Sequence, residues 1–255
     1  MASYINRYVA FLDILGFKDM ISMTVGTSPT VSPNEVRAIL EVPDPVREDQ
    51  IILWRIGDIS KSGHRITAFS DSIVITTDET EQGLMHLLQH VGKIGFRLAQ
   101  LGMLYRGGIA NGLLYHDEQQ VFGPAVIEAY ELEKKAKFPR VILSTAVANA
   151  GRSFAEPVNT IFERFTRTDT DGKVYVNFMR VLRMIADSDG PLHEDVRILQ
   201  ERINSSIAKQ LDRFAIGTSE RIKWEWFLAY FYWATDESWR EIARTPFPAF
   251  RNGEK

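Results

Sequence analysis

A chain of 255 residues, 45% hydrophobic and 25% charged, carries enough apolar material for one substantial core, or for one domain with an extension. Its formal net charge of -3 supplies no overall field that favours nucleic acid. The lack of cysteine excludes disulfides, thiolate metal sites and cysteine nucleophiles. No apolar run approaches the ~20 residues needed to span a bilayer, and Met1 to Arg7 lack the layout of a signal peptide. The expectation is a soluble, cytoplasmic protein with neither a membrane nor a nucleic-acid partner.

In chain order, residues 8 to 14 predict a buried strand that Gly16 breaks. Residues 25 to 63 are irregular and proline-punctuated, with one short helix around Asn34 to Leu40. Residues 65 to 77 predict two strands reversing near Asp71 and Ser72. The recurrence of Leu84, Leu87, Leu88, Val91, Ile94, Leu98 and Leu101 predicts a helix over 81 to 101. Residues 103 to 115 predict a strand, Asp117 and Glu118 a turn, and the chain then returns to Phe122. Gly123-Pro124 opens a helix, proline being suited to the first helical position. Its buried stripe is Ala125, Ala129, Leu132 and Ala136. Val141 to Ser144 form another strand, and residues 160 to 179 a hairpin turning at Asp169 to Gly172. From about Pro191 the pattern is helical, with Val196, Leu199, Ile203, Ile207, Leu211 and Phe214 on one face. An aromatic helix follows from Ser219 to about Ala234. This order fits an α+β, ferredoxin-like sheet with helices on one face better than a doubly wound parallel sheet.

Two aspartates are set in apolar strands, Asp13 in Phe11-Leu12-Asp13-Ile14-Leu15-Gly16-Phe17 and Asp71 in Phe69-Ser70-Asp71-Ser72. An ionised carboxylate in such a setting is expensive to desolvate unless a cation or donor pairs with it. Two of them point to a shared divalent ion, and magnesium-like cations suit oxygen ligands and phosphates. For either aspartate alone the competing reading is a turn-capping residue.

Four segments, in order, resemble the class III nucleotidyl cyclases. These are the Asp13 and Asp71 segments, the strand Arg106-Gly-Gly-Ile109-Ala-Asn-Gly112, and the helix Phe122-Gly123-Pro124-Ala125 running on to Glu133. The resemblance covers roughly residues 7 to 180. It implies a catalytic domain over 1 to 180, with residues 181 to 255 a helical extension packed on the domain or dimer. It also implies a homodimer with active sites at the interface, and two divalent metal ions, manganese or magnesium. Asp13 and Asp71 would be the catalytic metal ligands, Ile14 would add its carbonyl, and the Gly16 and Phe17 amides would face the phosphates. Thr67 stands where purine-specific members have lysine, and Gln120 at a second base-reading position. Ile127 and Glu131 replace the transition-state asparagine and arginine. These departures resemble the cyclases of bacterial Pycsar anti-phage systems, which make cyclic UMP or cyclic CMP, and they imply UTP or CTP as substrate. Arg106, Lys134, Lys135, Lys137 and Arg140 are candidate phosphate contacts.

Overall fold

The computed structural model describes residues 3–25, 28–44, 59–179 and 193–235. The chain enters the sheet with the long strand β1 (Ile5–Leu15). The short helix α1 (Phe17–Ser22) and α2 (Pro33–Leu40) follow. The hairpin β2 (Arg65–Phe69) and β3 (Ser72–Asp78) leads to α3 (Glu81–Gln100) and the long β4 (Leu104–His116). Next come β5 (Val121–Phe122), α4 (Pro124–Lys135), β6 (Val141–Leu143), α5 (Thr145–Ser153) and α6 (Val158–Phe165). The hairpin β7 (Thr166–Thr168) and β8 (Val174–Val176), then α7 (His193–Arg213) and α8 (Ser219–Thr235), are the last of the described elements. The sheet runs β2-β3-β1-β4-β6-β8-β7, with β5 paired to β4. Among the described strands only β4 and β6 pair in parallel. The architecture is the expected α+β sheet packed with helices. Among the described residues no helix is long and apolar enough to cross a membrane.

The helices do not share one face. β1 alternates side chains between two apolar sets, so each face of the sheet needs a cover. Ala10, Leu12, Ile73 and Ile75 join the main core beneath α3. Val9, Phe11, Ala110 and Leu114 pack instead against Ala125 and Ala129 of α4. Gly108 permits the second contact, since a Cβ there would lie 2.3 Å from the Ala129 carbonyl oxygen.

Two short helices escaped the sequence reading. Residues 160–165, expected as strand, finish α6 before the hairpin begins. α5 begins at Ser144, expected as the end of a strand, whose hydroxyl caps the helix by accepting from the Val147 N–H at 3.2 Å. Pro191 and the boundary at 180 lie outside the described residues, as does the Val196 side chain. The rest of the proposed α7 face agrees: Leu199, Ile203 and Ile207 are buried, and Leu211 and Phe214 pack beside them.

Helices α7 and α8 are built into the main core. Tyr230 donates from its hydroxyl to Asn177 Oδ1 at 2.7 Å and accepts from the Met179 N–H at 2.9 Å. Trp226 stacks on Phe138, and Phe227 on Phe178. α7 is tied to the end of α3 by Ser206 to the Gln100 carbonyl and Gln210 to the Gly102 carbonyl, at 3.4 and 3.1 Å.

Candidate active site

The β2–β3 hairpin closes through a two-residue loop, Ser70-Asp71, between the paired Phe69 and Ser72. Ser70 takes φ 56°, the left-handed conformation such loops demand. The register Asp13↔Ser72 then sets the loop beside the end of β1. The Ile14 N–H donates to the Asp71 carbonyl at 2.9 Å. Two aspartates 58 positions apart in sequence are thus fixed by one strand pairing.

Asp13, Ile14, Gly16, Phe17 and Asp71 line one cleft of about 540 Å³. That lies within the ordinary ~300–1,000 Å³ range of small-molecule sites. Gly16 turns the chain from β1 into α1 with φ 81°. A side chain there would meet nothing within 4 Å, so the requirement is conformational rather than steric. The Phe17 ring is buried in the core, which leaves its backbone as the part available to a ligand.

Burial raises the Asp13 carboxyl above its ordinary pKa; Arg106 opposes the rise and Asp71 adds to it. Arg106 Nε lies 3.4 Å from Asp13 Oδ2 and 2.5 Å from Glu133 Oε1. Glu133 is itself buried, with its carboxyl pushed up mainly by desolvation. The sequence reading missed Glu133, although it follows Ala129 by four positions on the buried stripe of α4. A carboxylate on that stripe demands a cation, and Arg106 is the cation.

Two predicted residues lie apart from this cleft. Thr67 pairs with Val74, and its hydroxyl is hydrogen-bonded to His116 Nε2 at 2.9 Å. The other ring nitrogen of His116 contacts Thr76 Oγ1 at 2.7 Å. Burial, with Arg7 and Arg65 nearby, holds His116 at a pKa of about 4. Gln120 is exposed beyond His116, the last residue of β4. β4 curls there, since His116 comes back against Thr67 of β2. Neither Thr67 nor Gln120 lines the cleft that holds the two aspartates of its own chain.

The basic phosphate candidates are also accounted for. Arg140 is buried and paired to Asp169 and Asp171, closing the β7–β8 hairpin. Lys134 contacts Glu131 and the Tyr130 ring. Lys135 and Lys137 are exposed at the end of α4 and do not line the cleft.

The donor set suits a hard divalent cation: two carboxylates and the Ile14 carbonyl, which does not accept a reciprocal bond from the Asp71 N–H. Among the described residues no three acidic or histidine side chains gather at one point. Phosphate oxygens and water would therefore complete the coordination, as such ions permit.

No family model matches the chain, and no curated protein does. Solved structures do resemble it. The guanylyl cyclase Cya2 is 15% identical over 69% of this chain and 93% of its own, with a TM-score of 0.41. A bacterial light-regulated adenylyl cyclase is 15% identical over 80% of this chain and 59% of its own, with a TM-score of 0.44. The catalytic core of a rhodopsin-guanylyl cyclase with converted specificity, in complex with ATPalphaS, is 16% identical over 68% and 96%, with a TM-score of 0.45.

Proposed function

We propose that this chain is a nucleotidyl cyclase that converts a pyrimidine nucleoside triphosphate, UTP in preference to CTP, to the 3′,5′-cyclic monophosphate and pyrophosphate. The observation that carries the reading is the delivery of Asp13, from the end of β1, and Asp71, from the β2–β3 loop, to one cleft beside a backbone carbonyl. A pure scaffold has no need of two carboxylates so placed, because desolvating them costs free energy.

In the reaction the ribose 3′-oxygen bonds to the α-phosphorus and gives up its proton. The bond from that phosphorus to the bridging oxygen breaks, and pyrophosphate leaves with the electron pair. Two divalent ions, manganese or magnesium, when bound would neutralise charge on the triphosphate and sharpen the attacking oxygen. Asp13, Asp71 and the Ile14 carbonyl would hold them. Arg106, itself held by Glu133, fixes the Asp13 carboxylate in place. The Gly16 and Phe17 amides would donate to phosphate oxygens.

Base recognition falls to Thr67 and Gln120 in this reading. A threonine tied to His116 presents no long cation of the kind that reads a purine edge. Thr67 and Gln120 would both come from a second copy, because neither lines the aspartate cleft of its own chain. The reading therefore includes a head-to-tail homodimer in which segments 8 to 14 and 66 to 77 face the partner's 103 to 126 region. Exposed Tyr4, Phe122 and Ile127 support such a contact. The biological role that follows from the sequence resemblance is second-messenger synthesis in anti-phage defence.

A second reading has one observation in its favour. Ile127 and Glu131 are exposed on α4 where active cyclases present asparagine and arginine, which fits a nucleotide-binding or interaction domain without turnover. One assay separates the readings: purified protein with each of the four ribonucleoside triphosphates and manganese, scored for cyclic nucleotide and pyrophosphate. Cyclic UMP formation is expected. Preference for ATP or GTP refutes the pyrimidine reading, and no product from any of the four refutes the cyclase reading.

A further inference from the structure

The cleft that holds the two aspartates is walled on another side by the C-terminal helices. Lys209, Arg213 and Phe214 of the α7 end and Lys223 and Trp224 of α8 line it together with Asp13 and Asp71. We infer that α7 and α8 form a polyphosphate-binding wall for this cleft, with Lys209, Arg213 and Lys223 supplying its cations from the same chain. The inference rests on the cyclase reading only for the nucleoside part of the ligand; a triphosphate or pyrophosphate chain is the chemistry the wall itself selects.

Three observations carry it. The first is that these cations are not held in close ion pairs. Among the described residues Lys209 and Lys223 form no ion pair within 4 Å, whereas Arg106, Arg140 and Arg221 are each held by a carboxylate. Arg213 touches Met23 Sδ at 3.4 Å and lies over the Phe214 ring, and neither contact neutralises its charge. The second is position. The Lys223 charge is felt at the Asp13 carboxyl, so the ammonium and the metal-ligand candidate share one electrostatic environment. The third is rigidity. Trp224 is buried, and α7 is fastened to α3 through Ser206 and Gln210, so the wall is held in place before a ligand arrives.

Charge balance explains why cations belong there. Asp13, Asp19, Glu35, Asp71 and Glu220 also line the cleft. A polyanion would be repelled by this set unless divalent ions met the aspartates and fixed cations met the far phosphates. The Lys209 charge is felt at Glu35, and that of Lys223 at Glu220 as well as Asp13. The wall thus sets cations in the same cleft as the two aspartates.

The test is calorimetric titration of the full chain with inorganic tripolyphosphate in the presence of manganese. Wild type is expected to bind it. Arg213→Gln and Lys223→Gln are each expected to weaken binding about tenfold, the usual loss for a hydrogen bond to a charged group. Lys223→Arg, which keeps the charge, is expected to retain most of it. Circular dichroism melting curves check that the variants fold. Undiminished binding in both folded glutamine variants overturns the inference, as does wild type that binds no tripolyphosphate. The triphosphate assay fails separately. Variants with weakened tripolyphosphate binding uphold the wall even if no cyclic nucleotide forms. Cyclic nucleotide formation with the wild-type KM in both variants overturns the wall and leaves the cyclase reading intact.

Discussion

Arg106 bridges Asp13 and Glu133, its Nε 3.4 Å from one carboxylate and 2.5 Å from the other. Two strands and one helix meet in this contact, because β1 carries Asp13, β4 carries Arg106 and α4 carries Glu133. The arginine is shared unequally. The shorter contact goes to the more buried partner, so Glu133 anchors the guanidinium and Asp13 keeps the exposure a cation ligand needs.

Removing the arginine should therefore act first on stability. Arg106→Ala leaves Glu133 buried without its cation, and breaking a buried pair by deleting one member costs roughly 3–5 kcal/mol. Urea unfolding should show a lower midpoint by that measure. The double variant Arg106→Met, Glu133→Leu should recover much of the loss, since an apolar pair of similar volume carries no desolvation cost. An Arg106→Ala protein as stable as wild type would show that the bridge is not structural.

The aspartates should behave in the opposite way. The folded-state pKa of Asp13 is raised, so ionised Asp13 opposes folding at neutral pH, and the opposition fades as pH falls through the folded pKa. Asp13→Asn should leave the metal-free protein folded, with an unchanged or slightly higher Tm. Asp13→Ala and Asp71→Ala should each abolish cyclic nucleotide formation, a loss of several kcal/mol in the transition state. Manganese should raise the Tm of wild type and not of either variant. Near-normal turnover in a folded variant would remove that residue from the metal site.

A pair of histidines gives the protein an acid-sensitive contact. His90 Nε2 donates to the Pro43 carbonyl at 3.0 Å, so its bare Nδ1 accepts from His64 Nε2 at 2.8 Å. Protonating either ring sets two N–H groups, or a second buried charge, against this arrangement. Burial first, and the neighbouring ring second, lowers His90 to about 3; burial, then His86, lowers His64 to about 4. Both folded values lie below the unfolded value, so the stabilisation is fully present above pH 6.5. It is lost as pH falls through the window between that value and about 3–4. For His90 the loss between pH 7 and pH 5 is about 2 kcal/mol. The Tm should fall over that interval, and His90→Gln should flatten the profile. A Tm that rises toward pH 5 would contradict the assignment.

Thr67 tests base selection. Its hydroxyl already binds His116, and the remaining hydrogen-bonding capacity of the pair is what a pyrimidine would meet. Thr67→Val should lower turnover of the preferred pyrimidine triphosphate about tenfold, with a smaller effect on the others. It should also cost about 1 kcal/mol of stability through the lost hydrogen bond. Unchanged relative rates across the four triphosphates would show that the base is read elsewhere.

What the sequence made legible follows the strength of its local signals. The Ser70-Asp71 reversal, α3 and the Ala125 to Ala136 stripe were readable because turn chemistry and a 3.6-residue period are written in neighbouring residues. α5 and α6 were not, since Thr145–Ser153 is small and weakly apolar, and the Val158–Phe165 pattern runs into a strand without a breaker. At the cleft, Asp13 and Asp71 were legible as costly carboxylates in apolar strands. Lys209, Arg213 and Lys223 were not, because nothing in an amphipathic helix says which distant strand end its polar side will meet. Gln120 was singled out by position in a motif, and only the folded chain shows that it does not line the cleft of its own aspartates.

That separation makes the dimer testable. Gln120 does not line the cleft of its own Asp13 and Asp71, so in the proposed reading a complete site draws its base-reading half from another chain. An Asp71→Ala subunit keeps the Gln120 half intact, and a Gln120→Ala subunit keeps the aspartate half intact. Each homodimer should be inactive or nearly so. Mixed, they form heterodimers in which one of the two sites combines both intact halves, so up to about half of the dimers should carry one working site by random pairing. Turnover should reappear on mixing and rise with subunit concentration, because dimerisation is concentration-dependent. Sedimentation should report a dimer at the concentrations where activity returns. Full activity of wild type as a monomer at nanomolar concentration, or no recovery from mixtures that sediment as heterodimers, would mean that one chain contains the whole site.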